Sequence, residues 1–278
     1  MIRSVESGNI RLLKSLVEKA DYSLEQVDEE GNNLLHRAVM AGRKEIAKYI
    51  SRRCEDLMVQ WNIYGLAPVH LALLSNRPGL VEALLWFTKS RDDKYKDIKT
   101  RDNLSLLQYM VKNSHPSIIK LYLNDFGGGS KSIKSKINEY NQLGQTAMHL
   151  AAASGLRETL MLLYDHGGDL FKRDFDGMLP FHHALSNGFL FTATFITKLM
   201  DKNPEEYIND EFSGSTSCLL RACESSFDPA TVKCIIKWGG NVNKKDMKGN
   251  DAIYYASNNK KISRELLKIL NGIKDEGN

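Results

Sequence analysis

Ala67-Pro68-Val69-His70-Leu71-Ala72 and Thr146-Ala147-Met148-His149-Leu150-Ala151 are two copies of one phrase. Asn33-Leu34-Leu35-His36-Arg37-Ala38 and Leu179-Pro180-Phe181-His182-His183-Ala184 are looser copies. A phrase that returns every 30-odd residues marks a stacked array, because each unit can bury its apolar face only against its neighbours. Outward from the phrase, an Asp or Asn followed three residues later by Gly precedes most copies: Asp28 and Gly31, Asn62 and Gly65, Asn141 and Gly144, Asp174 and Gly177, Asp246 and Gly249. This is turn chemistry, since Asp and Asn bond their own backbone and Gly accepts positive φ. Apolar runs with helical spacing follow at 46–50, 80–85, 160–163 and 232–236. Each unit therefore reads as turn, short helix, tight turn at Gly42, Gly155 or Gly188, and second helix. Gly167-Gly168 and Gly239-Gly240 end second helices.

The fourth position of each phrase falls at His36, His70, Gln108, His149, His182, Leu220 and Tyr254, in steps of 34, 38, 41, 33, 38 and 34 residues. The phrase and its period resemble those of the ankyrin-repeat family. The match runs through nearly the whole chain and is weakest around Gln108, Leu220 and Tyr254, where the histidine is gone. The resemblance implies an all-α solenoid of stacked helix-turn-helix units with short hairpin tips, about seven to eight units with degenerate caps. It would be one array over 1–278: an N-terminal cap at 1–27, central repeats at 28–243 with enlarged loops near 88–100 and 125–138, and a capping repeat at 244–278. The charged tail Lys274-Asp275-Glu276 fits a natural end.

Composition is that of a folded protein, 42% hydrophobic and 26% charged, which excludes bulk disorder. No run approaches the roughly 18 apolar residues of a membrane helix, and the N-terminus lacks the apolar core of a secretory signal. Cys54, Cys218, Cys223 and Cys234 fit neither a disulfide framework nor a zinc site, so they read as reduced thiols with no metal role. The sequence carries no dinucleotide fingerprint, phosphate-binding loop or His-Glu-x-x-His, so it implies no enzyme and no cofactor. His36, His70, His149 and His182 recur at the repeat period, which a catalytic constellation would not do. By resemblance, each ring bonds backbone groups of the turn and ties adjacent units together. His115, His166 and His183 have no catalytic role in this reading.

Two features locate function. Between Lys89 and Lys136 eleven Lys/Arg stand against five Asp/Glu, leaving the rest of the chain slightly acidic. Lys89, Arg91, Lys94, Lys96 and Lys99 belong to the first enlarged segment, and Lys131, Lys134 and Lys136 to the second, which opens on Gly127-Gly128-Gly129-Ser130. A solvated loop pair explains them. So does a site for an acidic or phosphorylated peptide, a phosphoinositide headgroup or nucleic acid. The second feature is apolar residues at the turns. By resemblance, the tips and the exposed side of the first helices form a concave binding surface. Ile63, Tyr64, Leu66, Leu143, Phe175, Met178, Phe212 and Met247 occupy the tips, where water is expected. Clustered exposed apolar groups mark interaction sites, although some could fold back between neighbouring tips.

The expected function is a non-enzymatic module that binds a partner protein through this stripe, as a monomer in the cytoplasm or nucleus. The alternatives are an electrostatic binder centred on the basic region, or an effector that an intracellular bacterium delivers to capture a host protein.

Overall fold

The structure is a computed structural model that describes residues 1–19, 23–75, 77–89, 98–113, 116–126, 129–214, 216–224, 229–259, 267–268 and 270–272, with backbone only at 19 and 87–89. Two compact units divide the chain, Met1–Lys136 and Ile137–Asn278. Each is an all-α solenoid of helix pairs. Among the described residues extended pairing is confined to isolated bridges, Val27 with Asn33, Lys99 with Ser105 and Phe212 with Thr216.

In the first unit, α1 (Ile2–Glu6) and α2 (Ile10–Lys19) form a pair whose first member is the shorter. The pairs α3 (Leu34–Met40) with α4 (Lys44–Arg53), α5 (Pro68–Leu74) with α6 (Pro78–Lys89), and α7 (Leu106–Lys112) with α8 (Pro116–Leu121) follow. α1 packs on α3, α3 on α5 and α5 on α7, while α4 packs on α6. A π-helical turn at Tyr122–Phe126 continues α8. Then comes α9 (Ser130–Ile137), where an enlarged loop was expected. The reason is spacing: Ile133 and Ile137, one helical turn apart, are both buried and give the segment an apolar stripe. The side chains of Lys89, Arg91, Lys94 and Lys96, together with His115, Gly127 and Gly128 and the tail beyond 272, lie outside the described residues.

The second unit contains α10 (Ala147–Ala153) with α11 (Arg157–Asp165), α12 (Pro180–Ser186) with α13 (Leu190–Met200), α14 (Cys218–Glu224) with α15 (Pro229–Lys237), and α16 (Ala252–Asn258). α10 packs on α12, α12 on α14 and α14 on α16. Ala147, Ala151 and Ala152 on α10 are fully buried, and such small side chains admit a neighbouring helix closely.

One five-residue turn enters the first helices. Its first N–H donates to the fifth carbonyl: Asp28 to Asn32, Asn62 to Leu66, Thr100 to Leu104, Asn141 to Gln145, Asp174 to Met178, Phe212 to Thr216, Asp246 to Asn250. Where the first residue is Asp or Asn, its Oδ1 also accepts the N–H groups of the third and fifth residues, as in Asn141 and Asp174. The fourth residue is left-handed at Gly31, Gly65, Gly144, Gly177 and Gly249, a conformation Gly adopts freely, and Asn103 (φ 58°) tolerates it in the Thr100 turn; in the Phe212 turn the left-handed residue is the third, Gly214. Successive turns are stitched by single backbone bonds. Ile63 N–H donates to Glu30 and Arg101 N–H to Gly65 in the first unit, and Phe175 N–H to Leu143, Ser213 N–H to Asp176 and Met247 N–H to Gly214 in the second.

Candidate partner-binding surface

The turn engages its first, fourth and fifth residues, so the second and third project outward. Ile63, Tyr64, Leu143, Phe175 and Met247 hold these two places and are 54%, 65%, 63%, 70% and 78% exposed. Leu66 is half-buried. Met178 and Phe212 are buried, which corrects their expected place on the exposed stripe. Met178 is the fifth residue, whose carbonyl accepts the Asp174 N–H and contacts His149 Nε2, drawing the side chain under the turn. Phe212 is the first residue, a place that Asp or Asn holds in five of the other six turns and Thr100 in the sixth. Its ring lies 4.7 Å from the His182 ring and 5.7 Å from the Arg221 guanidinium.

The second unit brings two tip aromatics together. The Phe175 ring lies over Gly144, where a Cβ would come 2.6 Å from the Phe175 nitrogen and 2.5 Å from its ring carbon Cδ1. Gly144 is thus required twice, by that approach and by its φ of +72°. Tyr140, 6.2 Å from Phe175 between ring centres, extends the cluster, and Lys172 Nζ stands 4.2 Å from the Tyr140 ring centre. Sequence reasoning missed Tyr140 and its counterpart Trp61, which is 48% exposed and donates its indole N–H to Lys99 at 2.8 Å. The available signal was an aromatic residue directly before the turn Asn in both units.

A second regularity places charge. The residue nine positions after the turn's first residue returns to it. Arg37 meets Asp28 at 2.7 Å, His183 meets Asp174 at 2.7 Å, and Tyr255 donates to Asp246 at 2.6 Å. Asn62 and Asn141, which bear no charge, have Leu71 and Leu150 at that distance. Burial acts to raise the Asp174 carboxyl, but bonds from His183 and the Met178 N–H outweigh it and hold the group below the usual carboxylate range.

The repeat histidines are fully buried. Nδ1 accepts the N–H of the residue before the helix in His70, His149 and His182, at 3.1, 3.1 and 2.9 Å. Nε2 reaches the next turn segment: Leu66 O from His36 at 2.9 Å, Met178 O from His149 at 3.1 Å, Tyr207 O from His182 at 2.9 Å. Nε2 of His70 has no such partner, and its ring instead meets Tyr109 edge-on at 4.9 Å. Burial lowers all four rings, His70, His149 and His182 to about 4. At Gln108 the amide Oε1 accepts the Ser105 N–H at 3.0 Å, so an amide replaces the imidazole.

Burial pushes the Cys218 and Cys223 thiols up, the latter to about 12, which makes them poor nucleophiles. Among the described residues no His/Cys/Asp/Glu group could hold a metal, and no helix is long and apolar enough to cross a membrane.

The sequence and its helix pairs have counterparts in known proteins. A family profile described as "Ankyrin repeats (3 copies)" matches residues 1–102 and 107–207. The chain belongs to the ankyrin-repeat family. It is 30% identical over 173 residues to the human transient receptor potential cation channel subfamily A member 1, covering 61% of this chain and 14% of that protein. It is 25% identical over 252 residues to the mouse B-cell lymphoma 3 protein homolog, covering 89% of this chain and 52% of that protein. The ankyrin-repeat chain thus spans about half the length of one relative and far less of the other. The crystal structure of the Bcl-3 ankyrin repeat domain superposes with a TM-score of 0.60 at 20% identity, over 88% of this chain and all of that one, a likeness of fold.

Proposed function

We propose that this ankyrin-repeat chain is a non-enzymatic module that captures a partner protein through its apolar turn tips and the exposed side of its first helices. Ankyrin repeats are generic protein-interaction modules, and the family fold is a scaffold rather than a catalyst. The observation that carries the reading is Phe175: 70% exposed, yet held over Gly144 and beside Tyr140 and Leu143. A water-exposed aromatic that is already ordered loses little conformational freedom on binding, and aromatics are enriched among residues that dominate interface energy. Tyr64 and Ile63 repeat the pattern in the first unit.

The test is affinity capture from a cell lysate with the wild-type chain and with Tyr64→Ser/Leu143→Ser/Phe175→Ser. Wild type should retain a partner that the triple variant loses while both keep the same helical circular dichroism. Equal capture by both would refute the reading. A second reading is charge-based, supported by the exposed Lys131 and Lys134 of α9. It requires capture to weaken steeply between about 50 and 200 mM salt and to be lost in Lys131→Gln/Lys134→Gln.

A further inference from the structure

In the first unit, α4 and α6 are second helices of adjacent pairs and pack on each other. Between them runs a cleft of about 270 Å³ lined by Lys44, Lys48, Arg52, Glu82, Ala83 and Trp86. The three cations are the first, fifth and ninth residues of α4. That spacing sets them in one row, about 6 Å apart along the helix axis. The opposite wall is the indole of Trp86, 54% exposed, and the small, buried Ala83 leaves the space before it. Among the described residues Glu82 is the one carboxylate in the lining.

Like charges one turn apart repel, so Lys44 and Lys48 gain nothing from each other within α4. The flanking arginines are engaged outside the cleft: Arg43 donates twice to Glu6 O at 3.0 and 2.8 Å, and Arg53 pairs with Glu18 at 3.3 Å. Among the described residues Lys48 pairs with Glu45, a 71%-exposed neighbour on its own helix, and such solvated pairs are weak. Lys44 has no acidic partner among the described residues. Its Nζ reaches across to the start of α6, where a Cβ on Gly79 would lie 3.5 Å from it.

We propose that this cleft binds a small organic polyanion carrying at least two phosphate groups, with Trp86 against its less polar face. A single phosphate cannot reach a row of cations spread over about 12 Å, whereas two phosphates about 6 Å apart meet it in register. The cleft volume lies near the lower end of small-molecule sites, on the order of 300 Å³. The row is distinct from the apolar tips, and this inference stands or falls without them.

Inositol hexakisphosphate is the probe, titrated calorimetrically into the full chain at about 0.1 M salt. One saturable site is expected. Lys44→Gln/Lys48→Gln should weaken it about tenfold or more, Trp86→Ala less, and Lys131→Gln/Lys134→Gln not at all. These side chains are partly or largely solvent-facing, so thermal melts of the variants should match wild type. Vesicles of phosphatidylcholine with and without a phosphatidylinositol bisphosphate form the second arm. Binding to the vesicles but not to the free probe would overturn the small-ligand site in favour of a membrane-facing one. No binding, or equal weakening by the α9 variant, would overturn it outright.

Discussion

Phe175 and Phe212 both lie in turns that precede first helices of the second unit, yet one is 70% exposed and the other 4%. They differ by one place in the turn. Phe175 follows the Asp that closes its turn, and its backbone is fixed by the bond to Leu143 while its side chain points away. Phe212 replaces that Asp. It keeps the backbone bond to Thr216 but has no Oδ1 to offer the turn, and it fills the same space with a ring against His182 and Arg221. An identical residue type is thus surface in one register and core in the next.

The largest effect should come from Phe212→Ser. Truncating a buried Phe costs about 3–5 kcal/mol, and a buried hydroxyl recovers none of it. The melting temperature should fall by roughly 10 °C in a circular dichroism melt. A change under about 2 °C would return Phe212 to the surface.

Acid sharpens the same contrast. His149 and His182 have folded values of about 4 against an ordinary 6.5, so the folded state prefers neutral rings. Their stabilisation is complete above about pH 6.5, is lost as pH falls through the window to about 4, and changes no further below it. Each ring contributes up to about 1.4 kcal/mol per pH unit in that window. Denaturant midpoints should therefore decline from pH 7 to pH 5, and less steeply in His149→Gln. Phe212→Ser hydrates His182 and should also flatten the decline, whereas Phe175→Ser should leave its slope unchanged.

Smaller still is the pairing across nine residues. Asp174→Asn keeps the turn's acceptor but removes the charged partner of His183, and should cost about 1 kcal/mol. Adding His183→Leu recreates the Asn/Leu combination of Asn62 with Leu71 and Asn141 with Leu150, and should recover much of that loss. Additive destabilisation in the double variant would break the correspondence between turns. The smallest effect on stability belongs to Phe175→Ser, within about 0.5 kcal/mol of wild type. Partner capture should nevertheless fall, and a large drop in melting temperature would make Phe175 core as well.

Much of this was legible in the chain. The helix pairs and the glycine turns follow from chemistry confined to a few neighbouring residues, whereas the histidines' contacts with the next turn segment were implied only by the family resemblance. The exposed tips were legible only in part. Ile63, Tyr64, Leu143, Phe175 and Met247 were placed correctly at the surface, whereas Met178 and Phe212 were not, because a turn's inward and outward places alternate within five residues. Gly214 precedes the fourth place of its turn, so the glycine that marks register elsewhere misleads there. Ser130–Ile137 read as a basic loop because its lysines outnumber its two isoleucines, yet those two sit on one helical face.

The sequence by itself determined the repeat, its period and the internal order of each unit, since an Asp/Asn-to-Gly turn and a capped short helix are held by bonds spanning three or four residues. Only the tertiary structure decided which apolar residue meets water, why His149 finds a carbonyl while His70 meets an aromatic ring, and that three cations of α4 face Trp86 of α6 across one cleft. Those outcomes depend on neighbours 29 to 42 residues away in the chain, whose approach is set by packing between helix pairs.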